Sequence, residues 1–217
     1  MSTRHQYGQD DLTKEGYEAK AEIRARTLAL IRDSDYFVED YLNGDVLDLC
    51  GEHDETLQGL LDANVLRPGL STFIGVNDNG TVIRANEEYF KEVTDDGRAV
   101  WVESTWASAV ADLERFPRVR VINFDSCNRL NNKQIDAILH TSLALAAHLY
   151  RRNGTVLLVL NFTVGRMADR DKAAQKYIRR LRAWRNKTNP GNRTKLEFHQ
   201  YTSKKMPMLN VWLPMGF

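Results

Sequence analysis

Three features of this 217-residue chain predict an α/β fold: a doubly wound, mostly parallel seven-stranded sheet that ends in an antiparallel hairpin. Short apolar runs alternate five times with helical patterns. One of those runs, Thr155 to Phe162 (TVLLVLNF), is apolar along almost its whole length, and the last two candidate strands follow one another with no helix between them. The alternation implies parallel pairing, because a parallel crossover needs a dozen or more residues and usually fills them with a helix. An uninterrupted β-branched run suits a central strand covered on both faces. Two strands joined by a short connection pair antiparallel.

In chain order, Leu12 to Tyr41 reads as a helical cap, with Tyr17, Ala21, Ile23, Leu28, Leu30, Ile31 and Phe37 as its apolar stripe. Val46 to Cys50 is the first strand, and Glu55 to Val65 the helix after it, ending before Pro68-Gly69. Thr72 to Val76 closes on the turn Asn77-Asp78-Asn79-Gly80 and leads into a helix over Ile83 to Val93. Ala99 to Ser104 precedes a helix over Ala107 to Phe116, and Val119 to Phe124 precedes the clearest helix, Asn132 to Arg152, which stops at Asn153-Gly154. After the central strand comes a basic helix, Asp171 to Lys187. Lys195 to Thr202 and Met208 to Leu213 then alternate apolar with polar around Ser203-Lys204-Lys205-Met206-Pro207.

The apolar share of 42% and charged share of 27% suit a globular chain, so residues 12–217 are expected to form a single domain behind a polar, flexible Met1 to Asp11. That start has no apolar core before a cleavage-like site, and a cytoplasmic location follows as the expectation. The two cysteines, Cys50 and Cys127, end neighbouring candidate strands and are expected as reduced thiols. The five histidines lack zinc-like spacing, so no metal is expected, and no Gly-x-x-x-x-Gly-Lys-Ser/Thr phosphate cradle is present. The net charge of +1 conceals an asymmetry. Residues 1–117 carry 11 basic and 24 acidic side chains, and residues 118–217 carry 19 and 5. Either the halves attract one another within the fold, or the basic half offers a face to a polyanion.

Five alternations followed by an antiparallel strand resemble the class I S-adenosylmethionine-dependent methyltransferases over residues 12–217, with a degenerate glycine motif after the first strand. The resemblance implies S-adenosylmethionine as cofactor, bound at the carboxyl ends of the strands. There the family carries an acidic residue followed by glycines at alternate positions. Here Asp48 matches the acidic position, Cys50, Glu52 and Asp54 stand at the glycine positions, and Gly51 lies one place out of register. An acidic turn that caps the next helix explains the same segment. At the second strand end, Asn77 or Asp78 would accept from the ribose hydroxyls, or simply form a turn. At the third, Glu103 and Ser104 would face the adenine, with Trp106 either stacked on that ring or in the core.

The fourth strand ends in Asn123-Phe124-Asp125-Ser126-Cys127-Asn128, the most polar strand end in the chain. By the resemblance, Asp125 orients or deprotonates the methyl acceptor, with Asn128 as a hydrogen-bond partner. A helix cap is the alternative. No Asn-Pro-Pro-Tyr-like segment follows, so methylation of a base amino group is not implied. Beyond the fifth strand, Arg166 to Lys195 holds 11 basic and 2 acidic residues, with Tyr177 and Trp184 among them. This stretch either tracks the phosphates of RNA or DNA or is a solvated helix face. The sequence thus leaves two functions open: a methyltransferase-like enzyme with an unidentified acceptor, nucleic acid among the candidates, and a catalytically inactive module of the same fold that engages a nucleic acid or an acidic protein.

Overall fold

The computed structural model describes residues 14–32, 44–112, 114–126, 132–164, 170–191, 195–203 and 206–216. Helix α1 (Lys14–Arg32) is followed by β1 (Asp45–Leu49), α2 (Glu55–Asp62), β2 (Phe73–Asn77), α3 (Gly80–Tyr89), α4 (Lys91–Asp95), β3 (Ala99–Glu103) and α5 (Trp106–Ala111). Then come β4 (Val119–Asp125), α6 (Asn132–Asn153), β5 (Val156–Thr163), α7 (Arg170–Thr188), β6 (Glu197–Ser203) and β7 (Met206–Met215). One seven-stranded sheet runs β3-β2-β1-β4-β5-β7-β6. The first five strands are mutually parallel, and β7 pairs antiparallel with both β5 and β6. This is the architecture the alternation of elements predicts. The topological switch lies at β1, between β2 and β4, so the carboxyl ends of those strands frame the crevice where such sheets take ligands.

β5 is buried at all eight positions, as its uninterrupted apolar run requires. Alternate residues feed two cores. Leu47, Ile122, Leu158, Leu160 and Leu213 pack under α5, α6 and α7, while Val46, Val121, Val159 and Trp212 pack under α1 and α2. Each fully buried side chain of this size stabilises the fold by about 1.5–3 kcal/mol. Gly75, in the middle of β2, has to be glycine: a Cβ there would lie 2.5 Å from the ring of Trp101 on β3. Gly154 ends α6 with a φ of +79°, and its N–H donates to the Tyr150 carbonyl at 2.8 Å.

Five elements differ from the sequence reading, among them α2, which stops at Asp62, three residues before the expected Val65, as Asn64 takes a φ of +54°. The buried stripe of α1 is Ala19, Lys20, Ile23, Thr27, Leu30 and Ile31, whereas Tyr17 and Ala21 face solvent. Two polar residues sit on that stripe because polar partners on the sheet await them. The helix expected over Ile83 to Val93 is two helices broken at Phe90, where ψ is +33° and the ring turns inward onto Trp101. α5 stops at Ala111, five residues before the expected end, as Asp112 adopts extended backbone. The connection between β6 and β7 is shorter than expected, since Ser203 already pairs with Met206 and Thr202 with Pro207. Met1 to Asp11, residues 33–41 of the expected first helix, Cys127 and Asn128 lie outside the described residues.

Candidate functional site

The turn after β1 is fastened by its own side chains. Asp54 caps α2, its carboxylate accepting from the Leu57 N–H at 2.8 Å and from the Gly51 N–H at 3.1 Å. Asn86 of α3 clamps the same turn, donating to the Gly51 carbonyl at 2.7 Å and accepting from the Asp54 N–H at 3.2 Å. Asn77, at the end of β2, donates to the Cys50 carbonyl at 2.6 Å. The Cys50 thiol is buried, and burial, with the charges of Asp54 and Asp48, drives its pKa far up, so it is an inert thiol. Glu52 and His53 are exposed, and His53, at a φ of +50°, stacks on Tyr89 at 4.5 Å.

Asp48 lies at the bottom of this turn, 1% exposed. One of its oxygens accepts from the Asn123 amide at 3.0 Å, and Oδ2 meets no hydrogen-bond partner among the described residues. Burial first, then the neighbouring charges of Asp54 and Asp125, hold its carboxyl well above the usual range, against hydrogen bonds from Thr56 and Asn123. Burial raises Asp54 to about 6, even though three backbone hydrogen bonds favour its charged form.

Asp125 ends β4, its side chain 31% exposed at the carboxyl edge. Lys20 of α1 donates to its Oδ2 at 2.8 Å, and Asn161 of β5 donates to its Oδ1 at 2.9 Å. Asn161 in turn exchanges hydrogen bonds with the Tyr201 hydroxyl at 2.8 and 3.0 Å. The sheet register continues this row: Asp125 pairs with Asn161, Asn161 with Asn210, and Asn210 with His199. The structure therefore joins Asp48 and Asp125, through Asn123, Asn161 and Lys20, into one polar patch under α1.

The nucleoside candidates lie further along the same edge. Asp78 and Glu103 are exposed at the ends of β2 and β3, and the Ser104 N–H donates to the Asn77 carbonyl at 2.9 Å. Glu103 reaches over the start of α3: a Cβ on Gly80 would come within 2.6 Å of its carboxylate. Trp106 is in the core, 5% exposed, with its N–H donating to the Ser142 hydroxyl at 3.0 Å, so it does not offer a stacking face.

Several residues of this patch escape the sequence reading. Lys20 looks like one of many surface lysines until its place on the buried stripe of α1 is known. Asn210 interrupts an apolar strand, a visible signal that only a map of the sheet turns into a neighbour of Asn161.

The residues present suit S-adenosylmethionine at its nucleoside half, where exposed carboxylates match hydroxyl and amine donors. At Gly51 nothing lies within 4 Å of where a Cβ would stand, which leaves room for close approach of a ligand to the backbone. At Cys50, Glu52 and Asp54 side chains take the places that glycines would leave open. Among the described residues no group of His, Cys, Asp and Glu forms a metal cluster, and no helix is long and apolar enough to cross a membrane.

The outer faces differ in sign. Around α2, α3 and α4, Glu52, Asp62, Glu87, Glu88, Glu92 and Asp95 are exposed. On α6 and α7, Lys133, Arg151, Arg152, Lys172, Lys176, Arg179, Arg182 and Lys187 are exposed. Within the expected basic segment, residues 165–169 and 192–194 lie outside the described residues.

No protein-family model matches the chain, and no curated protein matches it. Solved structures do. The chain is similar to the METTL16 methyltransferase domain (TM-score 0.55, 10% identity, 91% of this chain and 67% of that one) and to the human methyltransferase 10 domain containing protein (TM-score 0.54, 12% identity, 91% and 82%). It is also similar to a Clostridium thermocellum protein assigned as an rRNA methylase (TM-score 0.51, 9% identity, 94% and 97%). At these identities the likeness shows the fold, and that fold is the class I methyltransferase fold.

Proposed function

We propose that the chain binds S-adenosylmethionine along the carboxyl edge of its sheet and transfers the methyl group to an acceptor that faces Asp125. The observation that carries this reading is the row of carboxylates at four neighbouring strand ends, Glu103, Asp78, Asp48 and Asp125, beside the open turn at Gly51. When bound, the cofactor supplies a methyl group on a sulfonium leaving group, so the protein chiefly holds donor and acceptor in line. Asp78 and Glu103 accept hydrogen bonds from the nucleoside, with Asn77 and Ser104 fixing the backbone between them. Gly51 admits the cofactor to the turn, which Asp48, Cys50 and Glu52 border. Asp125 orients the acceptor and takes its proton, with Asn128 as a further partner. The acceptor is a nucleic acid, held through the exposed lysines and arginines of the Arg166 to Lys195 segment.

The test is calorimetric titration with S-adenosylmethionine and its demethylated product. Micromolar binding that weakens at least tenfold in Asp78→Ala and Glu103→Ala supports the reading, and no heat at millimolar ligand rejects it. The hold of Asp54 on the Gly51 N–H favours a second reading, a non-catalytic module of this fold that uses its basic face alone. In that case the titration stays silent while RNA or DNA still binds in a salt-dependent manner.

A further inference from the structure

The two charged outer layers lie on opposite sides of the sheet: Tyr177, Ile178 and Leu181 of α7 enter one core, whereas Leu57, Phe90 and Val93, from α2 to α4, enter the other. On α7, the exposed Lys172, Lys176, Arg179 and Arg182 recur every three or four residues and so share one stripe about 15 Å long. None of the four makes an ion pair among the described residues. On the opposite side, the exposed Glu87 and Glu88 stand near the end of α3, and they too make no ion pair among the described residues. Tyr89 follows them, 59% exposed, its ring held by His53 stacked at 4.5 Å. A flat ring beside carboxylates is a seat for a guanidinium, which stacks on the aromatic face and donates to acid oxygens with the same planar fork.

With the sheet between them, the two surfaces are roughly 20 Å apart, about twice the screening length at 0.1 M salt, so neither neutralises the other within one copy. A nucleic acid covers the basic surface and leaves the acidic one bare. A second copy of the chain covers both.

We propose that the surface at Glu87, Glu88 and Tyr89 docks α7 of a second copy of this chain, with an arginine of that helix stacked on Tyr89. A two-fold pair does not make this contact, because surfaces on opposite sides of the sheet would then meet acid on acid or base on base. The copies join head to tail, leave one surface free at each end, and so grow past two. Exposed ion pairs are weak one by one and screened by salt, so the assembly belongs to low salt and high protein concentration. It does not depend on methyl transfer, and a nucleic acid on α7 competes with it.

Sedimentation of the full chain, freed of nucleic acid by nuclease, tests it. At about 0.02 M salt the mean mass is expected to rise with protein concentration beyond that of two copies, and at about 0.5 M to return to that of one. Charge reversal separates the two surfaces. Glu87→Lys with Glu88→Lys, and Arg179→Glu with Arg182→Glu, should each leave single copies, and an equimolar mixture of the two variants should assemble again. Tyr89→Ala should weaken assembly by roughly threefold to tenfold. One copy at every salt and concentration, a mass that levels off at two copies, assembly seen only before nuclease treatment, assembly kept by either reversed variant, or variants that stay apart when mixed would each overturn the inference. The wild-type salt series retains that power even if a variant does not fold.

Discussion

On the side facing α6 and α7, strands β1, β4, β5 and β7 present Leu47, Ile122, Leu160 and Leu209. One residue further along the same strands, the side facing α1 presents Asp48, Asn123, Asn161 and Asn210. The neighbours in sequence are alike, and only the phase of the strand separates them. An apolar row of the same volume would be at least as stable as a buried, partly ionised one. At these positions the first face therefore contributes more to stability than the second, whose polar row lies beside the carboxyl edge.

This contrast predicts where substitutions hurt. Leu158→Ala empties a fully buried position on the apolar face, and a loss of about 2–5 kcal/mol is expected in urea unfolding. A loss below about 1 kcal/mol would mean that this position is packed less tightly than its burial indicates.

The polar face is expected to respond in the opposite sense. Asp48 and Asp54 have raised pKa values in the folded state, so between the ordinary carboxylate value and the folded one the native chain holds more protons than the unfolded chain. Their penalty is absent below that window, grows as pH rises through it, and is complete above it. The melting temperature should therefore rise on acidification from pH 7.5 to about 5, by roughly several degrees. Asp48→Asn should stabilise the chain at pH 7.5 by on the order of 1 kcal/mol and flatten this dependence. A variant that melts lower at pH 7.5, with an unchanged pH profile, would show that the carboxylate is relieved by a partner.

Trp212→Phe tests the fastening of α1, since it removes the hydrogen bond from the indole N–H to Thr27 at 2.9 Å; a loss of about 1 kcal/mol is expected by thermal melting. The smallest effect concerns the outer surface. Arg179→Ala with Arg182→Ala should leave stability unchanged and reduce the slope of log affinity against log salt for an oligonucleotide by about two. An unchanged slope would remove α7 from the proposed nucleic-acid contact.

The parallel order and the central strand were legible in the sequence because burial on both faces leaves an unmistakable apolar run at Thr155 to Phe162. The strand ends carrying Asp48, Asn77 and Asp125 followed from it. The break at Phe90 was not legible, since a single ring turning inward leaves helical spacing intact on both sides. Nor was Lys20, because its partner is 105 residues away and only the crossing of α1 over the sheet brings them together. Sequence periodicity reports which face is buried. It does not report which buried face is polar.

The opposite signs of the two helical layers give the molecule a dipole directed across its sheet. A polyanion approaching from any direction exerts a torque that turns α6 and α7 toward it and the acidic layer away. Both helices begin at the carboxyl edge, and the Asp125 side chain lies on the α1 side of the sheet, behind the face that this torque turns forward. Such preorientation acts on encounter rates and fades once ions shorten the range of the field to about 10 Å at 0.1 M salt.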